Sequence, residues 1–205
     1  MLAPLLLSLL ASEMPGPVRQ TGLSEEDWGR LSVGEVVVKA TSASDSRGEK
    51  TAKGAVVIQA PWRHAFDQIG LHEEMLESSS CMKAMEVVLQ AARGGTSAMK
   101  VKETHQSLWM KASYTLDYVH DPDKRQIRWQ LDPTAKNEVL RMSGGWSFLP
   151  LSEDKTLAIY WLSGRSGGAM PQAVEDYFKK MMVPGFLETT RRRVEAAHAA
   201  GKHGN

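Results

Sequence analysis

Polar and apolar residues alternate most cleanly over residues 111–119 (KASYTLDYV), where Ala112, Tyr114, Leu116 and Tyr118 oppose Lys111, Ser113, Thr115 and Asp117. A period of two predicts an antiparallel strand with one buried and one wet face. Residues 125–131 (RQIRWQL) repeat the pattern with Ile127, Trp129 and Leu131 inward. Two further strands are predicted at 142–151 (MSGGWSFLPL) and 155–163 (KTLAIYWLS), and two earlier ones at 83–91 (KAMEVVLQA) and 99–109 (MKVKETHQSLW). The β-branched stretches 34–42 and 55–60 predict strands near the start of the chain, separated by a polar loop at 44–54. Arg93-Gly94-Gly95-Thr96 and Asp121-Pro122-Asp123-Lys124 supply turn chemistry between strands.

A different period governs the end of the chain. From near Pro171 to about His198, Val174, Phe178, Met181, Met182 and Phe186 form a broad apolar helical stripe. Pro184-Gly185 falls within it and predicts a bend there, because proline removes a backbone hydrogen bond. The cationic run Arg191–Arg193 lies toward the helix C-terminus, where it complements the helix dipole; this structural role is preferred to a phosphate site. Short helices are predicted after Ser24, whose following acidic residues form a capping signature, and over 62–69, opened by Pro61 with Phe66 and Ile69 on one face. Residues 72–80 read as another short helix or an irregular segment.

The length of 205 residues fits one domain with a leader, and the apolar fraction of 42% is enough for a sizeable core. Net charge is +1 with no long basic block, so nothing resembles a nucleic-acid surface. Cys81 is the only cysteine, which excludes an internal disulfide and a cysteine cluster for zinc. The opening run MLAPLLLSLLAS is shorter than the about 20 apolar residues of a transmembrane helix and suits the core of a secretory signal. The expected organisation is therefore a leader over 1–20, a single domain over 21–198 and a flexible tail over 199–205, in a periplasmic or secreted protein, with a cytoplasmic location as the alternative.

Catalytic motifs are absent. His72-Glu73-Glu74 lacks the second histidine of a zinc helix, and no metal, cofactor or catalytic residue is assigned. His105 shares strand parity with Val101, Glu103 and Trp109. A Glu–His pair facing a cavity could act as base and acid. Charge on a strand more often marks solvent, so an exposed face with a bulge near Ser107 is the preferred reading. The aromatic and methionine set says more. Tyr114, Trp129, Trp146, Trp161, Phe178, Met181 and Met182 come from strands and a helix that should face each other. Such side chains suit a pocket for a bulky apolar ligand, and these seven are the candidate ligand-binding residues.

The order of elements resembles the helix-grip fold of the START and Bet v 1-like (SRPBCC) superfamily. The likeness spans roughly residues 54–197 and looks closest to polyketide cyclase/dehydrase and coenzyme Q-binding START proteins. It is carried by Ala55-Val56-Val57-Ile58-Gln59-Ala60-Pro61 with the short helix after it, by Gly144-Gly145-Trp146-Ser147-Phe148, by Thr156 to Trp161, and by the closing helix with its internal proline. The resemblance implies an α+β chain in which a curved antiparallel sheet of about seven strands wraps a long C-terminal helix. It also implies a deep apolar cavity between sheet and helix for a lipid, isoprenoid quinone or similar molecule. With so few acid–base groups beside the aromatic and methionine lining, the expected function is non-catalytic binding or transport, with transient membrane contact. An aromatase/cyclase-type enzyme and a START-like protein-interaction module stay open as alternatives.

Overall fold

The computed structural model describes residues 13–40, 50–71, 76, 82–93, 95–107, 110–166 and 183–202. Its strands are β1 (Val37–Ala40), β2 (Lys50–Ile58), β3 (Met82–Arg93), β4 (Thr96–Ser107), β5 (Met110–Asp121), β6 (Gln126–Leu131), β7 (Val139–Ser152) and β8 (Lys155–Ser166). They form one antiparallel sheet in the order β1-β2-β8-β7-β6-β5-β4-β3. Strands β3 to β8 are a plain meander, and β2 returns to pair with β8. The stretch 34–42 supplies the edge strand β1, which makes the count eight. Strand β2 starts at Lys50, inside the expected loop, because Lys50–Gly54 pairs with Tyr160–Gly164.

The sheet packs differently on its two faces. Even-numbered residues of β2, β5, β7 and β8 point to an inner core with Phe66, Ile69, Val101, Ile127, Trp129, Trp146, Phe148, Leu187 and Val194. Helix α3 (Trp62–Ile69) follows Pro61 and buries Ala65, Phe66 and Ile69, the face its sequence predicts. Helix α4 (Val183–Lys202) buries Val183, Leu187, Thr190 and Val194, spaced by three or four residues. It sits close on β2, since a Cβ built on Gly54 would overlap the Leu187 side chain. Each large apolar side chain fully buried here contributes about 1.5–3 kcal/mol.

The outer face carries a second apolar layer. Helix α1 (Gly16–Arg19) and helix α2 (Glu25–Ser32) bring Met14, Val18, Trp28 and Leu31 against Val37, Ala55, Val57, Leu157 and Ile159. The capping signature at Ser24 is a full capping box. Ser24 Oγ accepts from the Asp27 amide at 3.2 Å, and Asp27 Oδ2 accepts from the Ser24 amide at 2.7 Å. Lys39 of β1 pairs with Asp27 at 2.5 Å and ties the helix to the sheet edge. Met14 and Val18, within the expected leader of 1–20, are buried in this layer. Apolar side chains landing on Leu157 and Ile159 explain why this short stretch is held.

The three arginines do not serve the helix dipole as expected: α4 runs on to Lys202, which leaves Arg191–Arg193 far from its last turn, where they bind carbonyls and Glu188 instead. Arg193 donates through Nη1 and Nη2 to the Gln68 carbonyl, both at 3.1 Å, adding to the bonds that this carbonyl near the end of α3 accepts from the Gly70 and Leu71 amides. Arg191 reaches the Gly34 carbonyl and Glu188, at 2.5 and 2.6 Å. Arg192 lies 3.9 Å from Glu188. Helix α4 continues to Lys202, past the expected end near His198, so residues 199–202 are helical. The expected start near Pro171, the turn before Pro184 against which a bend would be seen, and the segment 72–80 apart from residue 76 lie outside the described residues. No helix among the described residues is long and apolar enough to cross a membrane.

Candidate functional site: an aromatic inner face with one buried carboxylate

Cross-strand register builds the site. Tyr118 of β5 lies opposite Trp129 of β6, Trp129 opposite Gly144 of β7, and Trp146 of β7 opposite Tyr160 of β8. The rings make a continuous band. Tyr118 and Trp129 have centroids 5.5 Å apart, Trp129 and Tyr160 5.9 Å, Trp146 and Tyr160 5.0 Å, and Trp146 and Phe148 6.3 Å. Gly144 is required within it, because a Cβ there would overlap the Trp129 indole. Phe186 of α4 closes the band from above, 6.0 Å from Trp146 and 5.5 Å from Tyr160.

The two ends of this face differ. Toward α3 it is sealed by Phe66, Ile69, Ile127, Phe148 and His120, all buried. Phe66 meets Phe148 edge-on at 5.6 Å and His120 at 6.1 Å. Burial pushes the His120 imidazole down to about 4, so it is neutral near pH 7. Toward the β4–β5 hairpin the inward positions Ala112, Leu131, Met142 and Leu162 are only half-buried.

Glu103 lies between these ends and overturns one expectation. Val101 and Glu103 are 0% and 3% exposed, so this face of β4 points inward, not to solvent. The β4–β5 register also runs without a shift to Ser107↔Met110, with no bulge near Ser107. Glu103 Oε1 accepts from the Tyr118 hydroxyl at 2.7 Å, and Oε2 lies 2.9 Å from His105 Nε2. Burial first, and the Glu103 charge second, raise the Tyr118 phenol well above its usual value, which fixes it as donor. His105 stacks on Tyr114 at 5.2 Å with 14° between planes.

Of the seven candidate binding residues, Tyr114, Trp129 and Trp146 are buried on the inner face. Trp161 is not with them. It shares parity with Leu157 and Ile159, and its indole lies where a Cβ on Gly145 would project, on the outer face. Tyr160 occupies the inward place instead. Phe178, Met181 and Met182 lie outside the described residues, as does Cys81. Tyr118, Tyr160 and Phe148 also belong to the band; alternation marks Tyr118 beside Tyr114 and Phe148 beside Trp146, whereas β8 is apolar in both parities and hides Tyr160. No group of three or more metal-ligating side chains occurs among the described residues.

Solved structures share this arrangement of sheet and closing helix. Human STARD10 superposes with a TM-score of 0.64 at 10% identity, covering 82% of this chain and 73% of that one. The chain has the START-type helix-grip fold. Human StAR-related lipid transfer protein 5 gives a TM-score of 0.59 at 13% identity, covering 80% of this chain and 84% of that one. The ZhuI aromatase/cyclase from Streptomyces sp. R1128 gives 0.50 at 15% identity, covering 76% and 87%. At such identities the likeness is one of START fold alone. No protein-family model and no curated protein matches the sequence.

Proposed function

We propose that this protein binds a hydrophobic small molecule, a lipid, isoprenoid quinone or similar, between the inner face of the sheet and α4, and carries it unchanged. The observation behind this reading is the ring band from Tyr118 through Trp129 and Tyr160 to Trp146, sealed toward α3 and only half-covered at Leu131, Met142 and Leu162. Large flat side chains with one thinly covered end suit entry of an apolar molecule. Two proteins of the same fold are named for lipid transfer or aromatase/cyclase activity, which supports a small apolar partner without choosing it. A periplasmic or secreted location, with membrane contact during loading, belongs to the same proposal.

The test is mass spectrometry of lipid co-purified with protein from its native host, joined to tryptophan quenching by a quinone or fatty-acid probe. Trp129→Ala and Trp146→Ala should each weaken probe binding about tenfold, the equivalent of losing one buried ring. Absence of both co-purified lipid and saturable quenching would sink the carrier reading.

One observation favours an aromatase/cyclase-type reading as the second. The Glu103–His105 pair lies on the inner face, where an acid and a base would be needed. Turnover of a polyketide-like substrate that disappears with His105→Ala would place it above carriage.

A further inference from the structure

The ring band is apolar along most of its length, yet a carboxylate is built into it. Among the described side chains at inward strand positions, Glu103 is the only acid. A buried carboxylate needs hydrogen bonds and a countercharge, since desolvating it alone is costly. The structure supplies the first need: Tyr118 donates to Oε1, and His105 Nε2 meets Oε2. Neither donor has to be charged to do so. Tyr118 is neutral, and His105 supplies a countercharge only when its ring is protonated. His120, the other inward histidine, is neutral at the sealed end.

The surroundings favour a cation. Tyr114 faces Glu103 across the β4–β5 ladder, and Trp129 lies ring against ring with Tyr118. Aromatic faces carry negative potential and attract ammonium groups, most strongly away from water. A carboxylate set among them adds to that field, whereas a second anion would be repelled. His105, partly exposed, marks the half-covered side from which a polar group would reach the carboxylate.

We propose that the ligand of the inner face carries a basic amine, held as an ammonium ion by Glu103 and the neighbouring rings. It is an amphiphilic amine, not a fatty acid. This rests on the carrier reading above and names the chemistry at one end of its ligand. Glu103 fixes the head, and the band toward Trp146 holds the apolar body.

The experiment is a tryptophan-fluorescence titration of the full chain near neutral pH with dodecylamine, dodecanol and dodecanoate, which share a tail and differ in head. Dodecylamine is expected to bind about tenfold or more tightly than dodecanoate, with dodecanol between them. Glu103→Gln keeps the shape and removes the charge, and should bring the amine and the acid to within about twofold. Circular dichroism checks that the variant folds. If it does not, the wild-type ranking decides alone. Equal binding of all three heads, a preference for dodecanoate, or an amine preference unchanged in folded Glu103→Gln overturns the amine assignment and leaves the carrier reading standing. Failure of all three probes to bind overturns both.

Discussion

Tyr118 and Glu103 are bonded at 2.7 Å, hydroxyl to carboxylate, with both side chains buried on the inner face of the sheet. The bond joins neighbouring strands β4 and β5 by side chains as well as by backbone. It also fixes which partner holds the proton, because the phenol is raised far above neutrality.

Removing that donor leaves a buried carboxylate with one hydrogen bond fewer. Tyr118→Phe should therefore lower stability by about 1–3 kcal/mol, although the ring is conserved. Urea unfolding should show an earlier midpoint with an unchanged slope. An unchanged midpoint would mean that the bond contributes nothing.

His120 should set an acid limb of stability. Its folded value of about 4 lies below the ordinary 6.5, so folding favours the neutral ring. The sign follows: this contribution is complete above about 6.5 and is lost as pH falls through about 4, up to on the order of 3 kcal/mol. The comparison is of stability against pH for wild type and His120→Gln. The variant should lose less between these limits, and parallel curves would count against it.

Gly144→Ala should be disproportionately harmful for a single added methyl. The new Cβ must displace the Trp129 indole, which has Tyr118 and Tyr160 packed around it. Overpacking of this kind costs about 1–3 kcal/mol. A shifted tryptophan emission maximum should accompany the loss, and the spectrum of Gly29→Ala, where nothing stands within 4 Å, serves as the control.

Val18→Ala tests whether the chain before residue 20 is part of the folded unit. Val18 is 0% exposed within the outer layer. Truncating it should cost about 1–3 kcal/mol by thermal or urea unfolding. A neutral result would mean that this stretch adds nothing to the stability of the fold.

The strands were largely legible because most of them keep one wet face. Lys111, Ser113 and Asp117 alternate with Tyr114, Leu116 and Tyr118, and the structure follows that parity. Strand β8 is covered on both sides. Ala158 and Tyr160 meet the inner core while Leu157 and Ile159 meet the outer one, so both parities are apolar. No period of two survives in such a strand, and Trp161 was consequently read onto the wrong face. Glu103 failed for the opposite reason. Its charge argues for solvent, and its hydrogen bonds to Tyr118, fifteen residues away, and to His105 make burial tolerable. Met14 and Val18 stand among Pro15, Gly16 and Pro17, and their apolar contacts come from distant strands.

The outer layer of α1 and α2 covers only one part of the sheet. Strands β1, β2 and β8 are held between helices on one side and the inner core on the other. Strands β3, β4 and β5 have no such backing among the described residues, and Val87, Val88 and Leu89 of the edge strand stand exposed. The sheet is thus a wall of unequal compliance, stiff where α4 is seated and yielding where Glu103 stands. Backbone amides of β2 and β8 should resist hydrogen exchange longer than those of β3. Any change in interior volume would be taken up by the thin wall, leaving the seat of the helix undisturbed.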